Sequence, residues 1–269
     1  MRAAARIVAE ADRSGGTRLA VLRGESPLLF RRTGPRNGGR GTAAAGGVPG
    51  SGTAQAITLH LVGGAAGPLR GDELRLDLEV GPHARLDVRS VAATLLLPGR
   101  PAPPSTLVIH AEVGEGATLR WLPEPTIAAA GCDHIAITLV EVAEGGTLLW
   151  RDDIVCGRHR EESGRIRTET TVRYAGRALY RHDLAIGAPG WEGAAVLGGN
   201  RALGAAILAG PDLPEPHLPG PDAAVMSLPG PGLLATAAGA DIRRVRAVID
   251  PICESYPAAR STPAPATKW

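Results

Sequence analysis

Strict alternation of apolar and polar residues recurs along this chain, and it predicts a protein built from β-strands. Leu74, Leu76, Leu78 and Val80 alternate with Arg75, Asp77 and Glu79, the period-2 signature of a strand buried on one face. Ile57, Leu59 and Leu61 alternate in the same way with Thr58, His60 and Val62. Two further strands are expected around Ala5 to Ala9 and Arg18 to Leu22, followed by Pro27-Leu28-Leu29-Phe30.

From Val80 onward the chain repeats itself. Val80-Gly81-Pro82-His83-Ala84-Arg85-Leu86, Val113-Gly114-Glu115-Gly116-Ala117-Thr118-Leu119 and Val142-Ala143-Glu144-Gly145-Gly146-Thr147-Leu148 each read as strand, tight turn, strand, with their valines 33 and then 29 positions apart. The strands leading into the second and third turns present Leu107, Ile109, Ala111 and Val113, and Ile135, Ile137 and Leu139, as their apolar residues. A unit of this kind cannot bury its apolar face alone, so three of them stack into a shared core, as hairpins or as coils of sheet.

Beyond the repeats, a strand from Arg165 to Tyr174 pairs as a hairpin with Arg177 to Leu184 across the turn at Ala175-Gly176. A short helix is expected near Ala202 to Leu208, a Pro-rich loop over residues 211–231, and one further strand at Leu233 and Leu234. A second helix follows, capped by Asp241, with Ile242, Val245, Val248 and Ile249 on one face and Arg243, Arg244 and Arg246 on a solvated one. The expectation is therefore a mainly β fold of stacked antiparallel or mixed sheets made from strand-turn-strand units, with one or two short helices near the C-terminus. Residues 1–255 read as a single domain. Residues 34–54, almost wholly small or polar, read as a flexible loop, and residues 256–269 as a disordered tail.

Composition narrows the function classes. The 36 Gly and 23 Pro favour short segments and turns, and aromatic residues make up only 3%, so Leu, Val, Ile and Ala must fill the core. The balance of 29 basic against 27 acidic residues argues against nucleic-acid binding, which concentrates positive charge on one face. Cys132, Cys156 and Cys253 are far apart and form no CxxC pair, so they read as buried free thiols and not as disulfides or a zinc site. No uninterrupted apolar run suits a signal peptide or a membrane span. The chain reads as cytoplasmic and without a membrane partner.

Motifs for enzymatic chemistry are missing. The seven histidines form no HExxH, and there is no GxSxG elbow, P-loop or dinucleotide fingerprint. What remains is a set of acids in apolar surroundings: Asp72 before a strand, Glu124 between Pro123 and Pro125, and Asp152-Asp153 after Leu148-Leu149-Trp150. Such carboxylates cap turns and end strands, or they offer hard oxygen ligands to a divalent ion without the His and Cys that would trap it. A hydrolase using Asp152 with Asp153 is disfavoured, because neighbours on a strand point to opposite faces. A stacked-sheet module binding a small ligand or polysaccharide is a further reading, although it would call for exposed aromatic platforms.

The chain resembles the UreD (UreH) family of urease accessory proteins. The matching pieces are Ser26-Pro27-Leu28 with Arg32-Thr33, Gly63-Gly64 with Gly71-Asp72-Glu73-Leu74, Gly81-Pro82 with Ala84, Ala92-Ala93-Thr94, Leu119-Arg120-Trp121-Leu122-Pro123-Glu124-Pro125, and Leu148-Leu149-Trp150-Arg151-Asp152 closing at Gly157-Arg158. Gly176-Arg177 and the C-terminal amphipathic helix complete the order. The resemblance implies a non-enzymatic scaffold that joins apo-urease to UreF and the GTPase UreG during nickel insertion, with nickel passing transiently through the interior and no tightly bound cofactor. By motif, Asp72, Thr94 and Asp152 fall where the family places polar residues suited to that route. Glu124 and Asp153 are added from the reading of acids above, and no preformed high-affinity metal site is expected.

Overall fold

The computed structural model describes residues 1–33 and 56–256, and the expected flexible loop at 34–54 lies outside them, as does the tail after Tyr256. Eighteen strands and one helix account for the regular structure of the described residues. The three repeats explain the architecture. Each begins with one strand, β5 (Glu73–Val80), β8 (Ser105–Val113) or β11 (Asp133–Val142), turns tightly, and continues as β6 (Arg85–Ser90), β9 (Thr118–Leu122) or β12 (Thr147–Cys156). The first set pairs in parallel in one sheet and the second set in parallel in another, so each repeat is one coil around a shared interior.

The three turns share one hydrogen-bond pattern. Ala84 N–H donates to Gly81 O at 3.0 Å, Ala117 N–H to Gly114 O at 3.1 Å and Gly146 N–H to Ala143 O at 3.0 Å. The third residue of each four-residue turn has positive φ: His83 at 60°, Gly116 at 62° and Gly145 at 73°. That conformation favours glycine, and Pro82 before His83 makes the first a type II turn. Successive turns are also bonded to one another, Gly114 N–H to Val80 O and Ala143 N–H to Val113 O, both at 2.8 Å. The repeat thus propagates through backbone hydrogen bonds as well as through buried side chains.

The first sheet is completed by β1 (Arg2–Ala11) and β2 (Thr17–Gly24) at one side and by β13 (Arg165–Tyr174) and β14 (Arg177–Ile186) at the other, in the order β14-β13-β11-β8-β5-β1-β2. In the second sheet β3 (Leu28–Thr33) and β4 (Ile57–Gly63) precede β6, and β15 (Ala202–Ala209), β18 (Gly232–Gly239), β17 (Ala223–Ser227) and β16 (His217–Gly220) follow β12. Two short strands, β7 (Thr94–Leu96) and β10 (Thr126–Ala128), extend the second sheet, β10 pairing with both β7 and β12. The expected hairpin at Ala175-Gly176 is β13–β14.

Three expectations are corrected. Ala202 to Leu208 is a strand and not a helix: β15 lies between β12 and β18, and both of its edges are hydrogen-bonded, so sheet pairing overrides the helix propensity of its alanines. The Pro-rich stretch 211–231 contains β16 and β17. Tyr256 is buried and its hydroxyl donates to Ala209 O at 2.9 Å, so it belongs to the core and not to a tail.

The one helix among the described residues, α1 (Ile242–Ser255), starts at Asp241, whose side chain accepts from the backbone N–H groups of Arg243 and Arg244. Its buried residues Val245, Ile249, Ile252 and Cys253 pack on the outer face of the second sheet against Leu149, Ala206, Leu208 and Ala235. Gly204 permits this approach, since a Cβ there would lie 2.4 Å from Val245 Cγ1. The main core lies between the sheets, and a smaller cluster of Leu96, Cys132, Ile154, Cys156 and Ile166 closes the end of the sandwich away from the glycine turns.

Candidate functional site

The interior of the sandwich is divided along its length. At the turn end it is wholly apolar, with Val80, Val113 and Val142 stacked beneath Leu86, Leu119 and Leu148. At the other end the inward positions become polar. Counting back by twos from Val142, β11 turns Val140, Thr138, Ala136 and His134 inward, and Thr138 and His134 are buried. The apolar residues expected to face the core on this strand, Ile135, Ile137 and Leu139, instead lie on its outer side, with Leu139 40% exposed. On the next strand Thr170 and Thr168 follow the same inward alternation from Val172.

These groups line an internal cavity of about 100 Å³ between the sheets, with Thr94, Thr126 and Asp152 contributed from the second sheet. Asp152 is half-buried and lines this cavity. Trp150, two residues earlier on the same face, donates its indole N–H to Asp152 Oδ2 at 2.9 Å. Burial raises the Asp152 carboxyl to a pKa of about 6 despite that hydrogen bond, and the neighbouring Asp153 charge adds to the rise. Tyr180, on β14, is raised to about 12 by burial and by the charge of Asp152. Trp121 stacks on Trp150 with centroids 4.9 Å apart and planes 12° apart, so the tryptophans pack the wall of the cavity and form no exposed platform.

The cavity shares wall residues with two further pockets. An apolar groove of about 360 Å³, lined by Ala92, Ala93 and Leu97, shares Thr94, Pro68, Leu28, Leu61 and Leu107 with it. A pocket of about 540 Å³ at the far side, lined by Asp133, Arg165, Arg167 and Asp183, shares His134 and Ile166. Register explains the second junction: His134 lies beside Ser105 on one strand and Ile166 on the other.

Of the five acids and hydroxyls expected from sequence, all but Asp72 are in the lining of this cavity, and their partners differ. Thr94 and Asp152 both line the internal cavity. Asp72 is buried but lies outside that lining: its carboxylate accepts from the Met1 ammonium at 2.7 Å and from Leu69 N–H at 2.8 Å, tying the 69–72 turn to the first strand. Glu124 borders the cavity and pairs with Arg246 of α1 at 2.7 Å, so Arg246 leaves the solvated face expected for it.

Asp153 also belongs to the cavity lining, but its carboxylate is turned towards α1. Its buried carboxylate accepts from Arg151 Nε at 3.0 Å, and Arg151 also bonds Asp250 at 2.5 Å. Burial raises the Asp153 carboxyl more than the Arg151 pairing lowers it. For Arg151, burial opposes the charge, but bonding to Asp153 and Asp250 more than offsets it and the pKa rises. The pair anchors the helix.

His134 had no place among the expected residues. The signal for it was the repeat itself: the parity that runs from Val113 to Ser105 runs from Val142 to His134. Among the described residues no group of three or more His, Cys, Asp or Glu is placed to hold a metal ion, and no helix is long and apolar enough to cross a membrane. Cys132, Cys156 and Cys253 are free, buried thiols, each pushed up to about 11 by burial.

Comparison with known proteins gives one answer along the whole chain. The family model described as UreD urease accessory protein matches residues 1–268. Urease accessory protein UreD 3 of Streptomyces griseus is 43% identical over 259 residues, covering 93% of this chain and 95% of that one. Urease accessory protein UreD of Streptomyces coelicolor is 39% identical over 257 residues, covering 93% and 94%, and that of Frankia casuarinae 43% identical over 227 residues, covering 79% and 70%.

Proposed function

Because this chain belongs to the UreD family of urease accessory proteins, and so to the machinery of urease maturation, we propose that it is a non-enzymatic scaffold joining apo-urease to UreF and the GTPase UreG in the cytoplasm. Nickel, the cargo, crosses the sandwich interior on its way to the urease active site. The observation that supports this reading is the run of three cavities through shared walls, with Thr94 at one junction and Asp152 inside. A hydroxyl and a single carboxylate are hard oxygen donors for a divalent ion, and without thiolates they hold it weakly enough to release it. Asp72 acts on the route indirectly, by fixing the turn that carries Pro68 into the cavity wall.

The test is co-expression with urease, UreF and UreG. The intact chain co-purifies with UreF and UreG, and Asp152→Ala or Thr94→Val lowers the nickel content of urease while the complex still assembles. Full urease activation in cells lacking this chain would overturn the scaffold role. Normal nickel loading with both variants would remove the interior route.

A further inference from the structure

We propose that His134 is a transient nitrogen ligand for the travelling divalent cation, placed where the internal cavity meets the outer pocket. The proposal rests on the interior route above and adds to it a specific donor that selects the ion.

Three observations carry it. First, His134 is 3% exposed and yet lines both the internal cavity and the outer pocket, so the imidazole stands in the wall common to the two. Second, only one ring nitrogen is engaged. Nδ1 lies 2.8 Å from Ser105 Oγ, and Ser105 Oγ donates to Asp133 O at 3.3 Å. With the serine proton directed to that carbonyl, Nδ1–H is the donor to Ser105 and Nε2 keeps its lone pair. Among the described residues no hydrogen bond engages Nε2. Third, the cavity that His134 lines also holds oxygen donors further along its wall, beyond Ala136 and Ile166: Thr138 on the same strand, Thr168 and Thr170 on the next, and Asp152 from the facing sheet.

A neutral imidazole fixed through its second nitrogen is the usual form of a histidine ligand. It discriminates as well as binds. Borderline nitrogen donors favour late first-row divalent ions, whereas magnesium and calcium take oxygen. Asp152 alone would accept either kind; Asp152 followed by His134 favours nickel-like ions. One nitrogen with hydroxyls and water completes no closed coordination shell, so the ion is held and passed on.

The experiment uses the full chain labelled with ¹⁵N. Long-range proton–nitrogen spectra report the imidazole signals, and nickel(II), being paramagnetic, broadens those it approaches. The expected result is loss of the His134 signals on adding nickel, with no change on adding magnesium. Ser105→Ala, which frees the ring while leaving it in place, weakens this binding by about tenfold, as expected when a ligand's supporting partner is removed. In co-expressing cells His134→Gln lowers the nickel content of urease. Unchanged His134 signals in the presence of nickel overturn the proposal, and this reading uses the unmutated chain, so it holds whether or not His134→Gln folds. Reduced loading with Asp152→Ala but normal loading with His134→Gln removes His134 and leaves the route. Normal loading with both removes the route itself.

Discussion

The indole of Trp150 donates to Asp152 Oδ2 at 2.9 Å from two residues earlier on the same strand face. The ring thus packs behind Trp121, which lines the cavity, and also steadies a carboxylate of that lining. Trp150→Phe keeps the stack on Trp121 and removes that donor. The expected outcome is a higher Asp152 pKa than in the unmodified chain, read by carboxyl ¹³C titration. An unchanged titration would show that the hydrogen bond does not hold the charge.

Two interior groups give pH dependences of opposite sign. The Asp152 carboxyl has a folded pKa near 6 against an ordinary 3.8, so the folded state binds more protons and stability falls as pH rises from about 4 to about 6. Burial lowers His134 from 6.5 to about 4, so the folded state binds fewer protons and stability is lost as pH falls from about 6.5 to about 4. Each contribution is at most about 3 kcal/mol, and the two largely cancel in the unmodified chain. The other ionisable residues of the cavity lining are Glu124, His134 and Asp153; Tyr180, raised in part by the charge of Asp152, stays neutral throughout this range. Urea denaturation at a series of pH values should show Asp152→Asn gaining stability at neutral pH and His134→Gln losing the drop on acidification. Parallel pH profiles for the two variants would refute the assignment.

The anchor of α1 predicts non-additivity. Arg151→Ala leaves the Asp153 carboxylate, with none of its side chain exposed, without its main partner, and should cost about 3 to 5 kcal/mol. Replacing both residues by apolar ones of similar size, Arg151→Met with Asp153→Leu, should cost less than the single change. Additive losses in a double-mutant cycle would mean that the pair is not coupled.

Close approach of helix and sheet predicts a third effect. At Gly204 an added methyl would meet Val245 Cγ1 at 2.4 Å and Asp153 Oδ1 at 2.8 Å, so Gly204→Ala should destabilise the chain by about 1 to 3 kcal/mol. A chemical denaturation midpoint equal to that of the unmodified chain would contradict the packing described for α1.

Much of this architecture is legible locally. The alternation at Leu74 to Val80, the three Val-led turns, the Ala175-Gly176 hairpin and the Asp241 cap each express a rule with a range of a few residues, and each element formed where its rule placed it. The misplaced helix at Ala202 to Leu208 failed for the complementary reason. Alanine-rich composition is a weak preference, and two hydrogen-bonded neighbours far away in sequence outweigh it.

The candidate site was legible in part. Thr94, Asp152, Glu124 and Asp153 were among the expected residues and line the cavity, whereas Asp72 does not. His134 escaped because Ile135 and Ile137 are the more apolar set on β11, and burial was assigned by side-chain type when the parity of the repeat decided it. Sequence by itself determined a β protein of coiled repeats, its turns and its capped helix, because alternation, turn chemistry and capping act between near neighbours. Only the tertiary structure decided that adjacent Asp152 and Asp153 serve different ends, one facing a cavity and one anchoring a helix. It likewise drew Glu124 to Arg246 and His134 to Ser105. What a strand face meets is set by the sheet or helix laid against it, and those partners lie 29 residues away for His134 and 122 for Glu124.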